Sequence, residues 1–161
     1  MKLSWCLALL AALAVPSTGL DVFRNYKSLS RYCPAPFFNV GPECFYVNRA
    51  PKSWHQARAA CQRMGGDLAE PTHTYVLLEA LRDSHDSWED KWFWTGGEIF
   101  NRGGDSSQWT WFSGRPVTEW SENQPQARDG EDCLMMGLDE DPPMYDYFCA
   151  EDYHSICELD E

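Results

Sequence analysis

Positive charge is scarce in this sequence: 13 Lys and Arg stand against 25 Asp and Glu, a formal net charge of −12 over 161 residues. Duplex nucleic acid and anionic membranes attract basic surfaces, so neither is an expected partner. No Cys-x-x-Cys pair occurs, which removes the common spacing of a structural zinc site. His55, His73, His85 and His154 lie far apart with neither metal nor triad spacing, and read as ordinary surface or helix histidines. No nucleophile–base pair and no phosphate loop is present, so an enzyme is not expected. Asn-x-Ser/Thr sequons are missing, and N-glycosylation with them. Beyond residue 19 no apolar run approaches the roughly 20 residues needed to span a bilayer, so membrane insertion is not expected.

What is present starts with Lys2, an apolar run from Leu3 to Val15, and small residues at Ser17 and Gly19. This pattern predicts a secretory signal over residues 1–19, with Leu20 as the mature start and an extracellular product. The run is too short for a membrane anchor. Cys6 leaves with the signal, and six of the seven Cys remain. An even number in an exported chain reads as three disulfides, whose pairing spacing alone leaves open. The length fits one domain, and 43% hydrophobic residues with eight Trp are enough for a packed core. From Asp129 to Glu161 there are twelve Asp or Glu and no Lys or Arg. Most of these read as solvated surface, but oxygen donors converging on a divalent cation are the sharper alternative.

Residues 33–47 hold two Cys around a Pro/Gly turn, with aromatic runs that read as short strands. Ser53, with Gln56 three residues on, predicts a capping box opening a helix. Trp54, Ala57, Cys61 and Met64 share one face of it, and Gly65-Gly66 stops it. A second helix is predicted from Thr72 or Thr74, carrying Val76, Leu77, Ala80 and Leu81 inward and fading over Ser84 to Ser87. After it come short β-prone pieces at 92–94, 109–111, 133–136, 145–149 and 155–158, with a long irregular segment over about 96–132. Helices first and mostly strands later give an α+β fold.

Taken together these landmarks resemble the C-type lectin-like domain, in its long form, over residues 33–158. Residues 20–32 are then a lead and 159–161 an acidic tail. Trp94-Thr95-Gly96 sits where the family has Trp-Ile-Gly; Trp109-Thr110-Trp111, Ser113-Gly114-Arg115-Pro116 and Trp120 follow its next motifs. Glu131-Asp132-Cys133 and Ile156-Cys157-Glu158 match closely. The resemblance implies two helices with small antiparallel sheets and a long loop region. It also implies three bridges: Cys33–Cys44, an outer Cys61–Cys157 and an inner Cys133–Cys149.

It further implies a sugar site built on calcium. In sugar-binding members the ion is held by two residues flanking a proline, an acid before the inner Cys, and an Asn-Asp pair. Hydroxyls of the sugar complete the shell. The corresponding residues here are Gln124 and Gln126 around Pro125, Glu131, and Tyr145-Asp146. A cis peptide before Pro125 would bring both flanking side chains to one ion. Gln126 and Tyr145 depart from the family pattern, and only Glu131 and Asp146 carry charge. Calcium is therefore expected to be held weakly, at about 10⁻⁴–10⁻³ M. Gln-Pro-Gln leans towards the galactose-type motif at Gln124 without committing to it, and Tyr145 could serve as an aromatic platform. Asp139-Glu140-Asp141 reads as a solvated run.

The function expected from the sequence is a secreted calcium-dependent lectin of innate defence, with galactose-type or microbial glycans as partners. Tyr145 and Gln126 favour a calcium-independent protein-binding domain as the alternative, and the acidic stretch favours a matrix or mineral-associated protein. Whether the chain forms a homo-oligomer is left open.

Overall fold

A computed structural model describes residues 32–84, 91–99 and 108–160. The predicted signal over 1–19, nearly all of the lead over 20–32, the predicted helix end over 85–87, part of the long loop, and Glu161 lie outside the described residues.

The elements run β1 (Phe38–Val40), β2 (Glu43–Lys52), α1 (Trp54–Gln62), β3 (Gly66–Leu68), α2 (Thr74–Asp83), β4 (Trp92–Ile99), β5 (Trp109–Trp111), β6 (Cys133–Gly137), β7 (Met144–Tyr147) and β8 (Tyr153–Leu159). Hydrogen bonding orders the strands β1-β2-β8-β4-β6-β7, with β3 added beside β8 and β5 beside β4. The antiparallel pieces expected from the sequence are joined into one network by the parallel pairing of β4 with β8, where Trp94 faces Ser155.

Strand β4 buries five successive residues, Phe93 to Gly97, because strands or helices cover both of its faces. On one side Phe93 joins Phe45, Leu134, Met136 and Ile156 beneath α2. On the other, Trp94 joins Trp54, Cys61, Leu68 and Cys157 beneath α1. The indoles of Trp54 and Trp94 are tied as well as buried: Trp54 Nε1 donates to the Thr95 carbonyl at 2.9 Å, and Trp94 Nε1 to the Lys52 carbonyl at 2.9 Å. A buried indole without such a partner would lose the full cost of desolvating its N–H.

Two glycines are fixed by close approach. A Cβ on Gly66 would lie 1.9 Å from the Glu158 carbonyl, and one on Gly96 would lie 2.4 Å from that of Leu68. Gly66 therefore does more than stop α1: it opens β3, which the sequence pattern did not reveal.

The helices differ from expectation in detail. Ser53 occupies the N-cap of α1 with extended backbone, but its side chain makes no capping bond. The Trp54 N–H, another of the free donors of the first turn, donates to the Cys149 carbonyl at 3.0 Å, so a tertiary contact ties this end of the helix in place of a side-chain cap. In α2 the buried set is Thr74, Leu77, Leu78 and Leu81, an i, i+3, i+4, i+7 stripe. Val76 falls outside that stripe and is 51% exposed, which corrects its predicted inward placement, while Ala80 is half-buried and packs against the core as expected.

The three disulfides are Cys33–Cys44, Cys61–Cys157 and Cys133–Cys149. Cys61 and Cys157 are completely buried, with the first on α1 and the second on β8.

Candidate functional site

Strands β6 and β7 pair antiparallel, with Leu134 opposite Asp146 and Met135 opposite Tyr145. Because successive side chains alternate across a strand, Asp146 points inward with Met144, while Tyr145 and Tyr147 lie half-buried on the other face. The loop that precedes β6 folds back over Asp146. The Gln124–Pro125 peptide is cis, as are Ala35–Pro36 and Asp141–Pro142. Gln124, Gln126, Arg128, Glu131 and Asp146 come together with Trp92, Met135, Tyr145, Tyr147 and Tyr153 around one cleft of about 290 Å³. All five residues named from the sequence as a sugar or metal site therefore line a single cavity.

Their polar atoms are engaged by the chain itself. Asp146 Oδ1 accepts the Gln126 N–H at 2.9 Å, and Oδ2 accepts the Ala127 N–H at 2.6 Å. Ala127 has φ of 51°, a left-handed conformation that costs an L-residue roughly 1–2 kcal/mol and that this short charge-assisted bond helps to hold. Gln124 Oε1 accepts the Gln126 N–H at 3.2 Å. Glu131 is 2% exposed, and its oxygens accept from Arg128 twice, from the backbone N–H and from Nη1, both at 3.3 Å. The Arg128 side chain is itself 61% exposed, so its guanidinium meets solvent on one side and a buried carboxylate on the other.

Tyr145 is held differently from the metal-flanking role its position suggested. Ser121 Oγ donates to its hydroxyl at 2.8 Å, and that hydroxyl donates to Glu140 Oε2 at 2.9 Å. Burial holds the phenol above its ordinary range; the Ser121 bond opposes that rise and Glu140 adds to it. Glu140 thus anchors the Tyr145 hydroxyl, while Asp139, ion-paired to Lys91, and Asp141 are exposed as the solvated run expected. The Tyr145 ring stands edge-on to Trp92 at 5.0 Å, and Tyr147 stands edge-on to Tyr153 at 5.6 Å.

The expectation of a calcium ion on Gln124, Gln126, Glu131 and Asp146 does not fit these oxygens. The ion prefers six to eight oxygen ligands, whereas both Asp146 oxygens accept amide protons and Glu131 faces a guanidinium. Among the described residues no group of three or more His, Cys, Asp or Glu is arranged to hold a metal.

Sequence reasoning missed Arg128, Trp92, Tyr147 and Tyr153 as parts of the cleft. The signal for Arg128 was present: it is the last Lys or Arg in the chain, immediately before the acidic stretch. The aromatic residues could not be assigned because they reach the cleft from three strands, β4, β7 and β8.

A second, more open cleft of about 660 Å³ lies over β3 and the end of β8, lined among others by Glu43, Glu70, Phe112, Arg115 and Glu158. Glu158 Oε2 accepts the Glu70 N–H at 2.8 Å, and Glu70 Oε2 accepts the Ser113 N–H at 2.8 Å. Burial above all raises the Glu158 carboxyl to about 7; Glu43 and Glu70 push it the same way, while the Glu70 N–H and Arg115 oppose them.

Comparison with known proteins agrees with this architecture. The family model described as Lectin C-type domain matches residues 50–159. The mouse low affinity immunoglobulin epsilon Fc receptor is 31% identical over 73% of this chain, which spans about a third (34%) of that receptor. A crystal structure of a calcium-independent type II antifreeze protein is similar at a TM-score of 0.64 and 27% identity, covering 79% of this chain and 93% of that one. The cow CD23 carbohydrate-recognition domain, crystallised in the presence of a GlcNAc2Man3 oligosaccharide, is similar at a TM-score of 0.64 and 25% identity, covering 81% and 98%. With two helices, a mixed sheet and three disulfides in this arrangement, the chain belongs to the C-type lectin domain family.

Proposed function

We propose that this protein is an extracellular glycan-binding module that acts by binding rather than by catalysis, and that its ligand occupies the cleft between Gln124, Gln126 and the aromatic wall. The observation that carries this reading is the make-up of the cleft. Amide side chains that can both donate and accept face rings that can receive the apolar side of a sugar. Ligand sites are typically of this kind, mostly apolar with a few placed polar groups, although this cleft lies at the small end of their range. Glu131 and Asp146 outweigh Arg128 by one negative charge, which disfavours sialylated and sulfated glycans and leaves neutral sugars as the substrate class.

The likeness to a carbohydrate-recognition domain supports glycan binding, and the likeness to a protein described as calcium-independent supports a site that works without the ion. No helix among the described residues is long and apolar enough to cross a membrane. The predicted signal over 1–19 is what points to an extracellular setting.

Immobilised galactose, mannose and neutral microbial glycans, run with calcium and with chelator, test the reading. Retention of the wild type on at least one of them is expected, with Gln124→Ala weakening it about tenfold through loss of one well-placed hydrogen-bonding group. Retention on none, in either solution, overturns it in favour of a protein-binding domain.

A further inference from the structure

The geometry points to Arg128 as the internal cation of the cleft: its guanidinium holds Glu131 in place of a metal ion, and the binding loop is set without calcium. Three observations converge on it. Glu131 is almost wholly buried, a position in which an ionised carboxylate needs a partner. Its partners come from Arg128 alone among the described contacts, one through the backbone N–H and one through Nη1. The neighbouring carboxylate, Asp146, needs no cation, because consecutive backbone N–H groups at Gln126 and Ala127 take both of its oxygens. One carboxylate is thus answered by the peptide backbone and the other by a guanidinium with donors only.

The arrangement is local and compact along the chain. Residues 126–128 supply the donors, and Glu131 closes back on them through an i, i+3 ion pair. The Glu131 N–H donates to the Arg128 carbonyl at 2.9 Å, so the pair that meets through side chains is also closed through its main chain. A guanidinium at this position repels a divalent cation from the one buried carboxylate left to bind it. Chelator-insensitive ligand binding follows. That consequence rests on the glycan reading for its ligand, whereas the role of Arg128 in the free protein does not.

The test therefore reads the free protein. Thermal unfolding of wild type is expected to be the same in millimolar calcium and in chelator. Arg128→Gln keeps a hydrogen-bonding side chain but removes the charge. It is expected to melt roughly 3–6 °C lower in chelator, because Glu131 is left buried without its counter-ion. Calcium should restore most of that loss, a response that a merely structural arginine would not produce. Arg128→Lys, which keeps a cation, should remain indifferent to calcium.

A wild-type melting temperature that rises with calcium overturns the inference, as does an Arg128→Gln variant that melts alike in both solutions. If that variant does not fold in either, terbium titration of wild type decides, since Trp92 on the cleft wall can sensitise the ion's emission. Saturable emission displaced by calcium overturns the inference, and its absence upholds it. A protein that passes these tests and retains no sugar refutes the glycan reading alone.

Discussion

Glu158 closes β8 opposite both Phe45 and Asp67, so two strands and the loop carrying Arg115 crowd one carboxyl. A carboxyl raised to about 7 from an ordinary 4.5 binds its proton more tightly in the folded chain than in the unfolded one. Its contribution to stability is therefore complete below the unfolded value and is lost as pH rises through the folded one. Glu158→Gln retains an acceptor for the Glu70 N–H while removing that titration. The variant should match wild type near pH 4 and melt higher than it at about pH 8, as followed by circular dichroism. A difference in melting temperature that is constant across this range would refute the assignment. The same residue shows what a sequence does not disclose: Ile156-Cys157-Glu158 was legible as a family ending, but nothing in it announced a crowded acid.

At the scale of elements, periodicity found both helices and misjudged one face. The stripe in α2 is set by Leu77, Leu78 and Leu81, and the sequence alone allowed it to be read one residue too early, through Val76. Leu78→Ala should cost about 2–5 kcal/mol in urea unfolding, whereas Val76→Ala should stay within about 0.5 kcal/mol. Comparable losses at the two positions would mean that α2 is rotated from its place here. Strand β3 escaped notice because three residues, one of them a glycine held by the Glu158 carbonyl, carry no period. The long strands were found only at their starts, as at Trp92-Phe93-Trp94, whose aromatic residues are strand formers; β4 runs on to Ile99 and β2 to Lys52, beyond the pieces expected. The cleft was legible in part for a similar reason: Gln124, Gln126, Glu131 and Asp146 follow a pattern along the chain. Their hydrogen bonds depend on how a loop closes over a strand distant in sequence, as when Gln126 meets Asp146, and no local pattern encodes that.

For the whole molecule the bridges set the scale of stabilisation. Cys61–Cys157 closes 96 residues and Cys33–Cys44 closes 11. If a bridge acts mainly by restricting the unfolded chain, replacing the first pair by alanine should cost about 2 kcal/mol more than replacing the second. Equal losses in denaturant titrations would place the effect in the native state instead. Fold class and pairing were legible because six cysteines, ordered tryptophans and two helices recur together in one family. The weakening of the calcium site was legible in Gln126 and Tyr145, whereas the pairing of Arg128 with Glu131 was not, because it depends on where the folded loop delivers the guanidinium.

Strand β8 pairs with β2, β3 and β4 and carries Cys157, the partner of a cysteine on the first helix. The last strand is thus the one that joins the two halves of the sheet. Two hairpin-like groups, β1 with β2 and β4 with β5, β6 and β7, pair without it, and neither is joined to the other until the chain has reached its end. The pairings that join β2, β3 and β4 to one another can form only after Tyr153–Leu159 has been made, and the Cys61–Cys157 bridge only after that.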